Sequence, residues 1–439
     1  MSQRVLRIIL VGAALAACDA PATKPTPPPT KVTLPVVAKP TPPPEPVQAE
    51  PEPPPDEPPP PVTPEVAAAV AASINQLSLD LHRVGARRPG NVFVSGMSVS
   101  LALAMVHAGS GGATRKQLAN SLHLGELAEA DLQAGLANLR AGFGKAKGGV
   151  TLVVANRLFG EQSLAFKPAY LELGRTVFGA PLEALDFITN AGGATARINA
   201  WVGEQTRGKI ANLLPSGSLD ASTRLVLTNA VYFKGDWQEP FELAATRPQS
   251  FLAAAGKREV AMMRSSQRLR LAAPKGAKLR VLELPYAGGE YALVIVLPQA
   301  KDGLAAIEKR LSLADLQTWI DGASDTLVDV QLPRFTLEQS VDLKSVLAEL
   351  GLGDLFKPKR ADLSGMADAR LALSGGFHRG FVAVDEHGSE AAAASAITVK
   401  VESAVAPVPF VVDRPFLFLI RDTRSGLIVG LGRLADPPA

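Results

Sequence analysis

The side chains able to carry chemistry in this chain are few and scattered. Cys18 is the single cysteine, and the five histidines His82, His107, His123, His378 and His387 stand at no metal-ligand spacing to one another. The chain has no G-x-S-x-G nucleophile elbow, no H-E-x-x-H and no phosphate-binding loop. These absences argue against an enzyme, a metal site or a cofactor, although a carboxylate-based active site would leave no such mark. A different pattern is written into EHGSEAAAASAITVKVES, from Glu386 to Ser403: that of a strand able to bury one face in a crowded site. In an extended chain, side chains alternate between faces. One face would carry Ser389, Ala391, Ala393, Ser395, Ile397, Val399 and Val401, small at first and then apolar. The other would carry Glu390, Ala392, Ala394, Ala396, Thr398, Lys400 and Glu402, as a solvated face does. The stretch is equally suited to a mobile loop, being alanine-rich and bracketed by Gly388 and the prolines of VAPVPF.

Something must hold such a segment, and the rest of the chain is equipped to do so. Of 439 residues, 47% are hydrophobic and 20% charged, enough for a large core. The net charge of +3 is spread without blocks, which gives no case for nucleic-acid binding. Residues 1–17 combine Arg4 and Arg7 with an apolar run too short for a permanent membrane helix, the pattern of a secretory signal. Leu15-Ala16-Ala17-Cys18 resembles a bacterial lipobox, which implies lipidation of Cys18 and a protein held at the cell envelope on the periplasmic or outer-surface side. Residues 18–63 are dominated by proline, a polyproline-type tether that cannot form a core. A single large domain follows over 64–437.

Its first helix is signalled by Thr63-Pro64-Glu65 and by Val70, Ile74, Leu77 and Leu81 at helical spacing. LAEADLQAGLANLRAGF and VDLKSVLAELG are also helical in period, whereas VTLVVANRLF, RLVLTNAVYF, YALVIVLP and DVQLPRFTL read as strands. Helices and strands do not alternate as βαβ units, so the class is α+β with mixed or antiparallel sheets. Phe416–Ile420 and Leu427–Leu431 form a hairpin candidate around Ser425-Gly426.

Glu386 to Ser395 resembles the hinge of the reactive-centre loop of serpins, and VDRPFLFLIRDTRSGLIVGLGRLADP resembles that family's C-terminal strand pair. NVFVSGMSVSLALAMVHAGSGGAT, INAWVGEQTRGKIANLLP and LTNAVYFKGDWQEPF are similar to further family segments in the family's order. The resemblance implies three β-sheets, about nine helices and an exposed loop over about 386–409. It implies a monomeric suicide inhibitor of serine endopeptidases, with cysteine endopeptidases as a second class. The covalently trapped endopeptidase would be its partner, and its membrane contact would be through the lipid only. A non-inhibitory serpin, binding or chaperone-like at the surface, is the alternative. Residues implied in opening the central sheet are Ser95, Ser98, Asn229, Trp237, Arg334 and His378, with Arg334 pairing with Glu386 at the loop entrance. Gly96 stands where many members have proline, which would loosen that turn. The hinge residues Glu386, Gly388, Ser389, Glu390, Ala391, Ala392, Ala393, Ala394 and Ser395 include none bulky enough to stall insertion. The family's loop length, counted from Glu386, puts the scissile bond at Glu402-Ser403; Val401 and, counting back from Pro415, Ala404 are alternatives.

Overall fold

The computed structural model describes residues 59–143, 148–253, 256–389 and 406–438. The leader, Cys18, the tether as far as Pro58, and Glu390 to Val405 lie outside them. Along the chain come α1 (Pro64–Ala86), β1 (Val92–Val94), α2 (Gly96–Ala108), α3 (Gly112–Ser121), α4 (Glu129–Ala141), β2 (Thr151–Glu161), α5 (Pro168–Thr176), β3 (Glu183–Leu185), α6 (Phe187–Gln205) and β4 (Leu225–Asp236). Next are β5 (Arg247–Ala253), β6 (Gly256–Ala272), β7 (Leu279–Pro285), β8 (Tyr291–Pro298), α7 (Leu304–Arg310), α8 (Leu313–Asp321), β9 (Ser324–Pro333) and β10 (Phe335–Asp342). The chain closes with α9 (Leu343–Leu347), β11 (Gly375–Val384), the two-residue β12 (Gly388–Ser389), β13 (Val408–Val411), β14 (Phe416–Asp422) and β15 (Ile428–Leu434).

Local chemistry accounts for the helix ends. Thr63 caps α1 by accepting from the Val66 amide, Pro64 opens its first turn, and Val70, Ile74, Leu77 and Leu81 all face the core. Ser95 caps α2, which is buried on every side from Gly96 to His107 and therefore carries apolar residues all round. The helical period of VDLKSVLAELG is realised only in part. After Leu347 the coil widens into a π-turn over Ala348–Leu352, because Gly351 takes a left-handed φ of 86° that no α-helix continues through.

The strands form two hydrogen-bonded sets. One has the order β10-β11-β4-β2-β3, with β12 attached to the end of β4. The other runs β1-β15-β14-β8-β7-β6-β9-β13, with β5 beside β6. In this second set β6 joins two layers: it pairs with β5 and β9 along most of its length, but with β7 only through Arg270–Ala272. The three expected sheets are thus present, two of them sharing a strand. The expected hairpin is β14–β15, longer at both strands than its sequence signal, with Gly426 at φ 71° in the turn. The main core lies between the first sheet, α1, α2 and the second set. On the opposite face of the first sheet, Phe187, Ala194, Ile198, Trp201 and Val202 of α6 cover Ala155, Phe159, Val226 and Ala230.

Candidate functional site

The site is built around a pair of strands. In the first sheet β11 lies parallel to β4, Gly375 opposite Val226 through Phe381 opposite Tyr232. On their outer sides β11 and β4 meet antiparallel partners, β10 and β2. Parallel pairing is the weaker ladder per residue, so among the long ladders inside this sheet the β4–β11 seam is the weakest per residue; the other parallel pair, β2 with the short β3, lies at the sheet's edge.

The chain leaving β11 turns back at once towards the seam. Asp385 Oδ1 accepts from the amides of His387 and Gly388, and the Asp385 amide donates to the Gly388 carbonyl at 2.8 Å, closing a tight turn. Gly388 and Ser389 then pair antiparallel with Asp236 and Gly235 at the end of β4. A Cβ on Gly388 would lie 2.0 Å from the Gly235 carbonyl oxygen, so only glycine allows this approach. The Trp237 amide donates to the His387 carbonyl at 2.7 Å, its indole Nε1 to the Asp385 carbonyl at 2.9 Å, and the Phe241 amide to the Glu386 carbonyl at 2.8 Å. Trp237 in turn stacks on Tyr286, ring centroids 4.6 Å apart.

Glu386 is buried, yet its carboxylate is doubly satisfied. Arg334 Nη2 donates to Oε1 at 2.5 Å and Thr246 Oγ1 donates to the same oxygen at 2.6 Å. Burial pushes this carboxyl up, but the hydrogen bonds from Arg334 and Thr246 outweigh it and hold the group below the usual glutamate range. Ser389 is fully buried, its hydroxyl 2.6 Å from the Tyr286 hydroxyl, whose own ionisation burial pushes far up.

A second cluster lies further down the seam. Asn229 on β4 donates through Nδ2 to Ser98 Oγ at 2.7 Å and to Asn156 Oδ1 at 2.6 Å. Its Oδ1 therefore accepts, and the partner is Nδ1–H of His378 on β11. Ser98 is held by α2, whose cap Ser95 donates to the Val429 carbonyl at 2.6 Å. The network thus ties β11 to β4, β2 and the buried helix. Burial holds the imidazole neutral by depressing its pKa to about 4.

The six residues grouped from sequence as one sheet-opening set are accordingly two groups. Trp237 and Arg334 sit with Glu386, Gly388 and Ser389 at the loop anchor; Ser95, Ser98, Asn229 and His378 sit in the seam. Glu390, Ala391, Ala392, Ala393, Ala394, Ser395, Val401, Glu402, Ser403, Ala404 and Cys18 lie outside the described residues. Thr246, Tyr286 and Asn156 were not anticipated. Asn156 had a signal, an amide inside the apolar run VTLVVANRLF, directly opposite Asn229. Tyr286 and Thr246 had none, since only the fold brings them to residues more than a hundred positions away.

A mixed sheet with a parallel seam, and a loop hooked onto the head of that seam, is the architecture of serpins. Residues 72–437 match the family model Serpin (serine protease inhibitor). A leukocyte elastase inhibitor of Sus scrofa is 41% identical over 378 residues, 84% of this chain and 99% of that protein. Human Serpin B9 is 42% identical over 352 residues, covering 79% and 93%. Among solved structures, uncleaved ovalbumin matches with a TM-score of 0.76 at 28% identity, over 84% of this chain and 100% of that one. Serpin48 of Tenebrio molitor matches at 0.73 and 29%, over 85% and 98%. The chain belongs to the serpin family.

Proposed function

We propose that this protein inhibits serine endopeptidases by offering the segment from Glu386 to about residue 409 as bait, then inserting the cut segment between β4 and β11. The observation that carries the reading is the antiparallel pairing of Gly388 and Ser389 with Asp236 and Gly235 at the head of a parallel seam. A strand entering there runs antiparallel to both neighbours, so one parallel ladder is exchanged for two antiparallel ones.

Continuing that register brings Ala391 opposite Phe233, Ala393 opposite Val231, Ser395 opposite Asn229, Ile397 opposite Leu227 and Val399 opposite Leu225. Directly paired residues share a face. Leu225, Leu227, Val231 and Phe233 belong to the main core, so the small and then apolar face of the loop would point inward. The alternate residues would face Val226, Ala230 and α6. At Val399 the strand β4 is used up, which leaves Lys400 to Glu402 as a short lead beyond the sheet. This favours the bond Glu402-Ser403: the protease hydroxyl adds to the Glu402 carbonyl, Ser403 leaves as an amine carrying the proton, and Glu402 stays esterified to the protease as the loop inserts. About a dozen new backbone pairs at ~0.5–1.5 kcal/mol each would release on the order of 10 kcal/mol.

The protein acts here as a consumed substrate and not as an enzyme. It works as a monomer, held by lipid on Cys18 at the bacterial envelope, with the proline-rich stretch keeping the loop clear of the surface. Denaturing electrophoresis after mixing with a panel of glutamate-specific, elastase-like and trypsin-like proteases should show a stable adduct with at least one. Mass spectrometry should find a released peptide beginning at Ser403. The Ser389→Arg variant should be cut at the same bond without an adduct, because the buried site against Tyr286 cannot take a charged side chain. Survival of the adduct in that variant would refute insertion.

A further inference from the structure

Ser389 ends the part of the loop stem that docks on β4. Its hydroxyl is fully buried already, 2.6 Å from the equally buried hydroxyl of Tyr286, and each group satisfies the other. The strand partner of Ser389 is Gly235, where a Cβ would come 2.8 Å from Tyr286 Cδ1, so the missing side chain is what lets the ring lie there. Trp237 stacks on that ring with centroids 4.6 Å apart, and Phe233 leans on it at 5.0 Å. Held in this way, the ring cannot follow Ser389 if the hinge moves off the strand.

We infer that the Tyr286 hydroxyl is a positioning group for loop insertion, keeping Ser389 in register on β4 so that the first pairs of the inserting strand exist before the loop is cut. This rests on the insertion proposed above and adds the residue that starts it. A buried hydroxyl left without a partner costs more than a hydrogen bond gains, and two backbone pairs alone make a marginal strand. If the Tyr286 hydroxyl is removed, the Ser389 hydroxyl is orphaned in the groove and the hinge withdraws. Insertion must then nucleate afresh after cleavage, in competition with hydrolysis of the ester: water adds to the Glu402 carbonyl, the protease recovers its serine hydroxyl, and Glu402 is left with a free carboxylate. More of the chain ends as cut product and less as adduct. If both hydroxyls are removed, nothing polar is left unpaired, and a replacement of that kind is nearly neutral.

The test compares Tyr286→Phe, which keeps the ring and its stacking, with the double variant Tyr286→Phe/Ser389→Ala. In Tyr286→Phe, hydrogen exchange over Gly388–Ser389 and their partners Gly235 and Asp236 should quicken about tenfold, a modest figure for an orphaned buried hydroxyl. The number of molecules consumed per protease trapped should rise severalfold. The double variant should return both readouts towards those of the intact pair, a rescue that loss of a merely structural contact would not give. Unchanged exchange and stoichiometry in Tyr286→Phe, or a double variant no better than Tyr286→Phe, would overturn the assignment. Hydrogen exchange involves no protease. If the unaltered protein forms no adduct at all, the insertion reading fails, while exchange still decides whether Tyr286 holds the hinge.

Discussion

His378 shows how much one buried group can set. Its ring must stay neutral, since Nδ1 serves Asn229 and a second proton would place a charge in the core. Burial lowers its pKa from about 6.5 to about 4. Between those values the unfolded chain binds a proton that the native protein does not, so acidification favours unfolding. This contribution is complete above pH 6.5 and is lost as the pH falls to about 4, amounting to roughly 3 kcal/mol. NMR titration should place the His378 midpoint near 4, with the unfolding free energy declining across that window; a midpoint near 6.5 would contradict the buried neutral ring. Glu386 has the opposite chemistry. Its carboxyl is held low by Arg334 and Thr246, so its contribution is present above the ordinary glutamate range and is lost only at more acidic pH. Mild acid should therefore weaken the seam before it weakens the loop anchor.

At the scale of elements, the packing of α1 against α2 explains a glycine that the family pattern had left as a departure. A Cβ on Gly96 would sit 2.6 Å from both the Cα and the amide nitrogen of Ser78, which belong to rigid helix backbone. Gly96 therefore permits the close approach of two helices and does not loosen the turn, whose cap through Ser95 is intact. Gly96→Ala should lower stability by about 1–3 kcal/mol, the range for overpacking a core, readable as a lower denaturant midpoint. A neutral result would mean that α1 can retreat at no cost. The same scale governs α6. Its apolar face lies across β2 and β4, so widening the seam requires this helix to shift, and its entry turn is held by Glu161, which accepts from the Phe187 amide at 2.8 Å.

For the whole molecule the decisive feature is that the first sheet leaves room in its hydrogen-bonding logic for another strand. The parallel seam between β4 and β11 is satisfied as it stands, yet an antiparallel insert would satisfy it better. On the insertion proposed above, the intact protein would be held by a barrier and not by its lowest free energy. Cleavage in the loop should raise the unfolding temperature well above that of the intact chain, by an amount corresponding to on the order of 10 kcal/mol. Differential scanning calorimetry of intact and nicked protein would test this, and equal midpoints would exclude insertion.

The order of residues alone determined the α+β class, the cap at Thr63, the strand signals and the hinge composition, because these depend on neighbours in the chain. It also pointed to the Arg334–Glu386 pair and to His378 through resemblance to a family. The tertiary structure alone decided that six residues read as one set serve two places, and that Tyr286 and Thr246 complete the loop anchor. The physical reason is range. Capping and alternation act over a few residues, whereas Ser389 meets Tyr286, and His378 meets Asn229, only after strands distant in sequence have been laid side by side.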